Sequence, residues 1–256
     1  HAHTEPFGLL SSRTHPSKGI TTTMLIAAAH GSFPDYFYDQ ATLIQSFLEH
    51  WREAHHNADR LVRLHKAVSV SGRHLALPME AYPDLSFGAA NDAFIEVGTK
   101  LGAKAVRGAL EAANLKPQDV DVIFTTTVTG VATPSIDARL VNLLGFRPNV
   151  KRIPMFGLGC VAGASGTARL ADYLAGHPDQ VGVLLSVELC SLTIQRKDFS
   201  VANLIASGLF GDGAAAVVGM GSQRAMASGL SGPRVVASES RFYPDTERVM
   251  GWDVSD

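Results

Sequence analysis

Cys160 stands within residues 156–168, FGLGCVAGASGTA, where an apolar stretch meets a glycine-flanked turn and a run of small residues. Glycines at 157, 159 and 163 suit the unusual backbone angles of a sharp strand-to-helix turn. Such a turn would present the thiol at the N-terminal end of the following helix. There the helix dipole and free N–H groups favour a thiolate, the nucleophilic form of a cysteine. Ala162, Ala164, Ser165 and Gly166 would let that helix pack closely on its neighbours. The local spacing leaves a second reading open, because free cysteines are often small buried core residues. A second cluster, residues 208–218 (GLFGDGAAAVV), sets two glycines around Asp212 and runs into alanines. It lacks the Lys-Ser/Thr of a phosphate loop and no helix follows it, so it reads as a structural turn entering a crowded part of a sheet.

The elements that must position these residues alternate between strand and helix. Residues 21–28 (TTTMLIAA) read as a first strand, and 38–51 carry apolar residues at helical spacing. Residues 55–74 are polar and basic. The clearest helix spans 86–113, with Phe94, Val97, Leu101, Val106 and Leu110 on one face, and Lys116-Pro117 stops it. A buried strand follows at 120–126. Pro134 then opens a helix that ends at Gly145. Residues 150–156 form the strand that enters the Cys160 turn, and the next helix runs to 175. Further strands are predicted at 181–189, 214–218 and 235–239. Continuous apolar strands separated by helices imply an α/β fold whose sheet is covered on both faces. No linker or repeat divides the chain, so one domain is expected from residue 20 onward, preceded by a mobile arm at 1–19. Residues 251–256 resemble the approach to another strand.

Composition narrows the function classes. The chain has 256 residues, 46% hydrophobic and 18% charged, with a formal charge of −2. That is the profile of a globular enzyme, and no basic patch exists for nucleic acid. No apolar run approaches the roughly 18 residues that span a bilayer, and no secretory signal is visible. Two cysteines, Cys160 and Cys190, lie far apart with no CxxC spacing, which fits a reducing cytoplasm and argues against disulfides or zinc. The histidine pairs His1/His3 and His55/His56 have no accompanying cysteine or glutamate constellation, so no metal is expected.

Residues 149–174 (NVKRIPMFGLGCVAGASGTARLADYL) and 208–218 resemble the nucleophile and glycine-turn motifs of type III polyketide synthases. These are the chalcone-synthase-like enzymes of the thiolase fold. Residues 125–148 (TTTVTGVATPSIDARLVNLLGFRP) resemble the segment preceding their nucleophile strand, and a weaker likeness extends from about Thr22 to the end. The resemblance implies a layered αβαβα thiolase fold, of which this chain is the first half plus the start of the second. It makes Cys160 the acyl-carrying nucleophile in a decarboxylating condensation of a CoA-bound starter with malonyl-CoA. It implies a homodimer and no cofactor beyond those CoA substrates.

In the family a His and an Asn stabilise the enolate, and both belong to the second half of the fold, beyond Asp256. His177 and Asn203 are poor substitutes, in a surface loop and a helix respectively, so this stretch is expected not to decarboxylate malonyl-CoA. By motif alignment, Thr129, Thr133, Cys190 and Ile194 fall where the family lines its acyl and cyclisation cavity. Small side chains at Thr133 and near Ile194 lead to the expectation of a long aliphatic starter and alkylpyrone products. Arg60, Arg63 and Lys66, at helical spacing, match loosely the family's CoA-phosphate cluster. Three alternatives remain: a type III ketoacyl synthase using an acyl carrier protein, a non-catalytic half-fold that pairs with another chain, and a cysteine hydrolase.

Overall fold

A computed structural model describes residues 24–51, 58–195, 197–198 and 200–251. The expected arm at 1–19 and His55/His56 lie outside these residues. In chain order the elements begin with strands β1 (Met24–Ser32) and β2 (Tyr36–Asp39), then helices α1 (Gln40–Trp51) and α2 (Ala58–Ala67). Strand β3 (Gly72–Leu75), helix α3 (Phe87–Ala112), strand β4 (Val122–Thr127) and helix α4 (Ile136–Leu144) follow. Next come β5 (Lys151–Phe156), α5 (Ala162–Gly176) and β6 (Val181–Leu189). The last are α6 (Val201–Leu209), β7 (Asp212–Met220), α7 (Ser222–Ser228) and β8 (Arg234–Val235).

Six strands form one sheet in the order β5-β4-β6-β7-β1-β8. β4 runs parallel to β5 and β6, whereas β7 is antiparallel to both β6 and β1. The buried β4 and the mostly buried β6 hold central places. Helix α3 lies across one face of this sheet. Its N-terminus is capped by Ser86, whose side chain accepts from the Ala89 N–H at 3.2 Å. Phe94, Leu101, Ala105, Val106 and Ala109, all buried, meet the apolar side of β1, β6 and β7. Helix α5 covers the opposite face at β4 and β6. Ala162, Gly166 and Leu170, spaced by four, form its buried stripe, while Gly163 and Ala164 face outward. A Cβ on Gly166 would come within 2.7 Å of Leu184, so this close approach needs glycine.

Several expectations shift at their boundaries. The segment 38–51 divides, because residues 36–39 pair antiparallel with β3 and Asp39 caps α1 by accepting from the Thr42 N–H at 2.8 Å. The polar stretch 55–74 contains α2 and β3. The strand expected at 235–239 is only two residues long, since β1 offers pairing partners no further than Met24 among the described residues. The second face of the sheet is covered in part: Ala29, Gly31 and Ala215 are exposed.

Candidate active site

The Cys160 turn forms as its glycines predict. β5 ends at Phe156, and Gly157 and Gly159 adopt positive φ of 86° and 56°, a region that side chains with a Cβ avoid. Gly163 differs from expectation: it lies inside α5, with no left-handed backbone. Cys160 sits in the 3-10 turn Gly159–Val161, which runs directly into α5, and it is exposed. No side chain caps the start of α5; its first N–H, that of Ala162, donates to the Gly159 carbonyl of the preceding turn. Phe156 and Val161 around the thiol are also exposed, at 65% and 57%. Among the described residues, Cys160 is thus not a buried core side chain.

Cys190 opens a second 3-10 turn, Cys190–Thr193, where β6 ends. It is half-buried, and burial pushes its thiol up to about 12, with the charges of Asp212, Glu188 and Cys160 adding to the rise. Thr129 lies against Glu188, at the end of β6. Its hydroxyl donates to Glu188 Oε2 at 2.7 Å and accepts from the Leu189 N–H at 2.9 Å. Thr133 is exposed in the loop before α4. Ile194 turns into packing against Leu61 and Leu204, between α2 and α6. Arg60, Arg63 and Lys66 share the exposed side of α2, opposite buried Leu61 and His65.

His177 and Asn203 are both engaged elsewhere. His177 caps the far end of α5, with its ring stacked on Tyr173 at 4.2 Å. At 1.5 Å per residue, that is about 20 Å along the helix from Cys160. The Asn203 amide donates to the carbonyls of Gln195 (2.8 Å) and Asp198 (2.7 Å), so it holds a loop.

Two carboxylates escaped the sequence reading as parts of this site. Glu188 is the one charge inside the apolar run of β6, a signal that was present. It accepts from Val128 N–H at 3.1 Å and from Thr127 and Thr129, joining β6 to the loop after β4, and burial raises its pKa. Asp212, read as a turn residue, starts β7 and is buried; desolvation pushes it up to about 6 against the pull of Ser191, Ala76 and Arg73. Both line an open depression of about 510 Å³ over the uncovered sheet face, with Phe33, Arg73 and His74 at its sides. No group of three or more metal-ligating side chains occurs among the described residues, nor any helix long and apolar enough to cross a membrane.

Residues 10–223 match the family model for the N-terminal domain of chalcone and stilbene synthases. A 1,3,6,8-tetrahydroxynaphthalene synthase from Streptomyces peucetius subsp. caesius is 50% identical over 230 residues, which cover 90% of this chain and 60% of that protein. A putative chalcone synthase from Bacillus subtilis is 36% identical over 88% of the chain and 64% of its own length. Among solved structures, the 1,3,6,8-tetrahydroxynaphthalene synthase of Streptomyces coelicolor superposes with a TM-score of 0.83 at 28% identity. That match covers 90% of this chain and 65% of the other. The chain thus spans about three-fifths of the length of these relatives. By the match over residues 10–223 and the shared thiolase-like architecture, the chain belongs to the chalcone and stilbene synthase family, the type III polyketide synthases.

Proposed function

We propose that Cys160 accepts an acyl group from a CoA thioester and that the enzyme extends it by decarboxylating condensation with malonyl-CoA. The carrying observation is an exposed thiol on a positive-φ glycine turn, at the uncapped start of α5, within the matched family span. The Cys160 thiolate attacks the starter carbonyl and CoA leaves as its thiolate. Malonyl-CoA loses CO2, and the electron pair of the broken C–C bond becomes an enolate. The enolate attacks the Cys160 thioester, releasing the cysteine thiolate and a β-ketoacyl-CoA longer by two carbons. Covalent loading divides one hard step into two. The enolate oxygen requires preorganised donors, which the family resemblance assigns to a His and an Asn in the second half of the fold. The exposed cations of α2 would bind CoA phosphates, and the enzyme would work as a homodimer.

Relatives at 50% and 34% identity are named 1,3,6,8-tetrahydroxynaphthalene synthases, and another at 28% is a phloroglucinol synthase. Hydroxyls on alternate carbons of an aromatic ring are what cyclisation of a poly-β-ketone yields. We therefore favour a polyhydroxylated aromatic built from malonyl units. A long aliphatic starter is the second reading, favoured by the small side chains of Thr133 and Cys190, though Ile194 is engaged in core packing.

The test is incubation of a whole synthase, residues 1–256 joined to the second half of the fold to which the family resemblance assigns the His and Asn, with malonyl-CoA, with and without a long-chain acyl-CoA, followed by mass spectrometry of the products. Malonyl-CoA alone should give an aromatic polyketide that Cys160→Ala cannot make. Products formed only with the long acyl-CoA would overturn the malonyl-built reading. No product under either condition would overturn the condensing activity.

A further inference from the structure

The turn Cys190–Thr193 has little of its own to hold it. It is a single 3-10 turn without a side-chain cap, and a Thr193 hydroxyl donating to the Cys190 carbonyl at 2.8 Å is its internal tie. What fastens it comes from β7. The Asp212 carboxylate accepts the Ser191 N–H through Oδ1 at 2.8 Å, and the Ser191 hydroxyl through Oδ2. The same Oδ2 accepts the Ala76 N–H, just beyond β3, at 2.6 Å. Because the Ser191 hydroxyl donates to the carboxylate, the Tyr82 hydroxyl at 2.6 Å must donate to Ser191, and Tyr82 in turn accepts from the Leu77 N–H at 3.2 Å.

Three of these bonds end on Asp212 as acceptor, from the Ser191 N–H, the Ser191 hydroxyl and the Ala76 N–H. Asp212 and Ser191 are 4% and 3% exposed, so water does not compete. Arg73 is the nearby counter-charge; its guanidinium donates to the Ser207 carbonyl and to Gln40 Oε1. Cys160 makes none of these hydrogen bonds; it lies on the turn between β5 and α5.

We propose that Asp212 is a positioning residue for acyl-chain selection: it sets the place of the Cys190 wall of the substrate cavity while leaving the Cys160 nucleophile untouched. The proposal rests on the polyketide-synthase reading above. Asp212→Asn replaces one acceptor by an NH2 that must face a Ser191 or Ala76 donor, so one bond becomes a repulsion. Ser191→Ala is milder, removing the hydroxyl and keeping the Ser191 N–H to Asp212.

The chain has two cysteines, which allows a readout independent of turnover. The wild type, Asp212→Asn and Ser191→Ala are treated with N-ethylmaleimide, and labelling at each cysteine is read by peptide mass spectrometry. Alongside, kcat/KM is measured for a short and a long acyl-CoA starter. Labelling of Cys190 relative to Cys160 should rise about fivefold in Asp212→Asn and less in Ser191→Ala, the scale of one lost buried hydrogen bond. The ratio of the two kcat/KM values should shift by a similar factor. Equal gains in labelling at both cysteines, or an unchanged starter ratio beside altered labelling, would overturn the proposal by reducing Asp212 to general stability. A wild type that forms no polyketide would instead remove the reading beneath it, while the labelling still reports whether Asp212 holds the turn.

Discussion

His65 shows what a single side chain can do out of sight of the chemistry. It is fully buried on α2, its Nε2–H donates to the Leu204 carbonyl at 3.0 Å, and its Nδ1 has no partner. Burial, aided by Arg73, pushes it down to about 4. The unfolded chain therefore takes up a proton that the folded chain refuses between about pH 6.5 and 4, and His65's contribution is lost as pH falls through that window. Asp212 works in the opposite sense: raised to about 6 by burial, it lowers stability as pH rises from about 4 through 6. The two slopes oppose each other, so the wild type alone conceals both. His65→Gln keeps a donor for Leu204 and removes one slope. Urea unfolding at pH 7 and pH 4.5 should find the wild type's advantage over His65→Gln smaller at the lower pH, by on the order of 2 kcal/mol. An advantage equal at both pH values would exclude a neutral buried His65. At this scale the sequence revealed the turn that carries Cys160, because local glycine geometry defines it. It hid the roles of His65 and Asp212, whose partners lie far along the chain: 139 residues separate His65 from Leu204, and 136 separate Asp212 from Ala76.

Elements were legible where their apolar pattern is long. α3 and β6 appear in the sequence nearly as they stand, while α2 reads as a polar run because its buried face is narrow and one of its members is a histidine. The sense of the strands was not legible at all, since an apolar run reads alike in parallel and antiparallel neighbours. Two predictions belong here. Gly130 lies in the loop between β4 and α4, between Thr129 and Thr133, and a Cβ there would fall 2.1 Å from the Phe94 ring. Phe94 is fully buried in the main core and cannot move aside freely. Gly130→Ala should lower stability by about 1–3 kcal/mol, the usual cost of overpacking, and thermal unfolding measures it. An unchanged melting temperature would mean that the loop yields instead. The second concerns α2, whose three cations are exposed and therefore screened. Replacing Arg60, Arg63 and Lys66 together by Ala should raise KM for acyl-CoA by about tenfold, the sum of modest solvent-exposed pairs. The effect should shrink as salt rises and leave kcat unchanged. A fall in kcat with constant KM would move the CoA site elsewhere.

At the scale of the whole molecule, the described residues hold the proposed nucleophile Cys160 on an exposed turn. Phe156 and Val161, flanking Cys160 in the sequence, are exposed. The two side chains nearest in type to the family's decarboxylating pair are committed elsewhere, His177 to Tyr173 and Asn203 to two carbonyls. Loading and condensation should therefore separate in this stretch. Acyl transfer needs the Cys160 turn and the start of α5, both of which are in place. Decarboxylation needs donors at the enolate oxygen, and losing one such donor costs about a hundred- to a thousandfold. The stretch 1–256 expressed alone should release no CO2 from carboxyl-labelled malonyl-CoA above the Cys160→Ala background, while the complete synthase of a relative releases it readily under the same conditions. Labelled CO2 from the isolated stretch, dependent on Cys160, would mean that the enolate donors lie within these 256 residues.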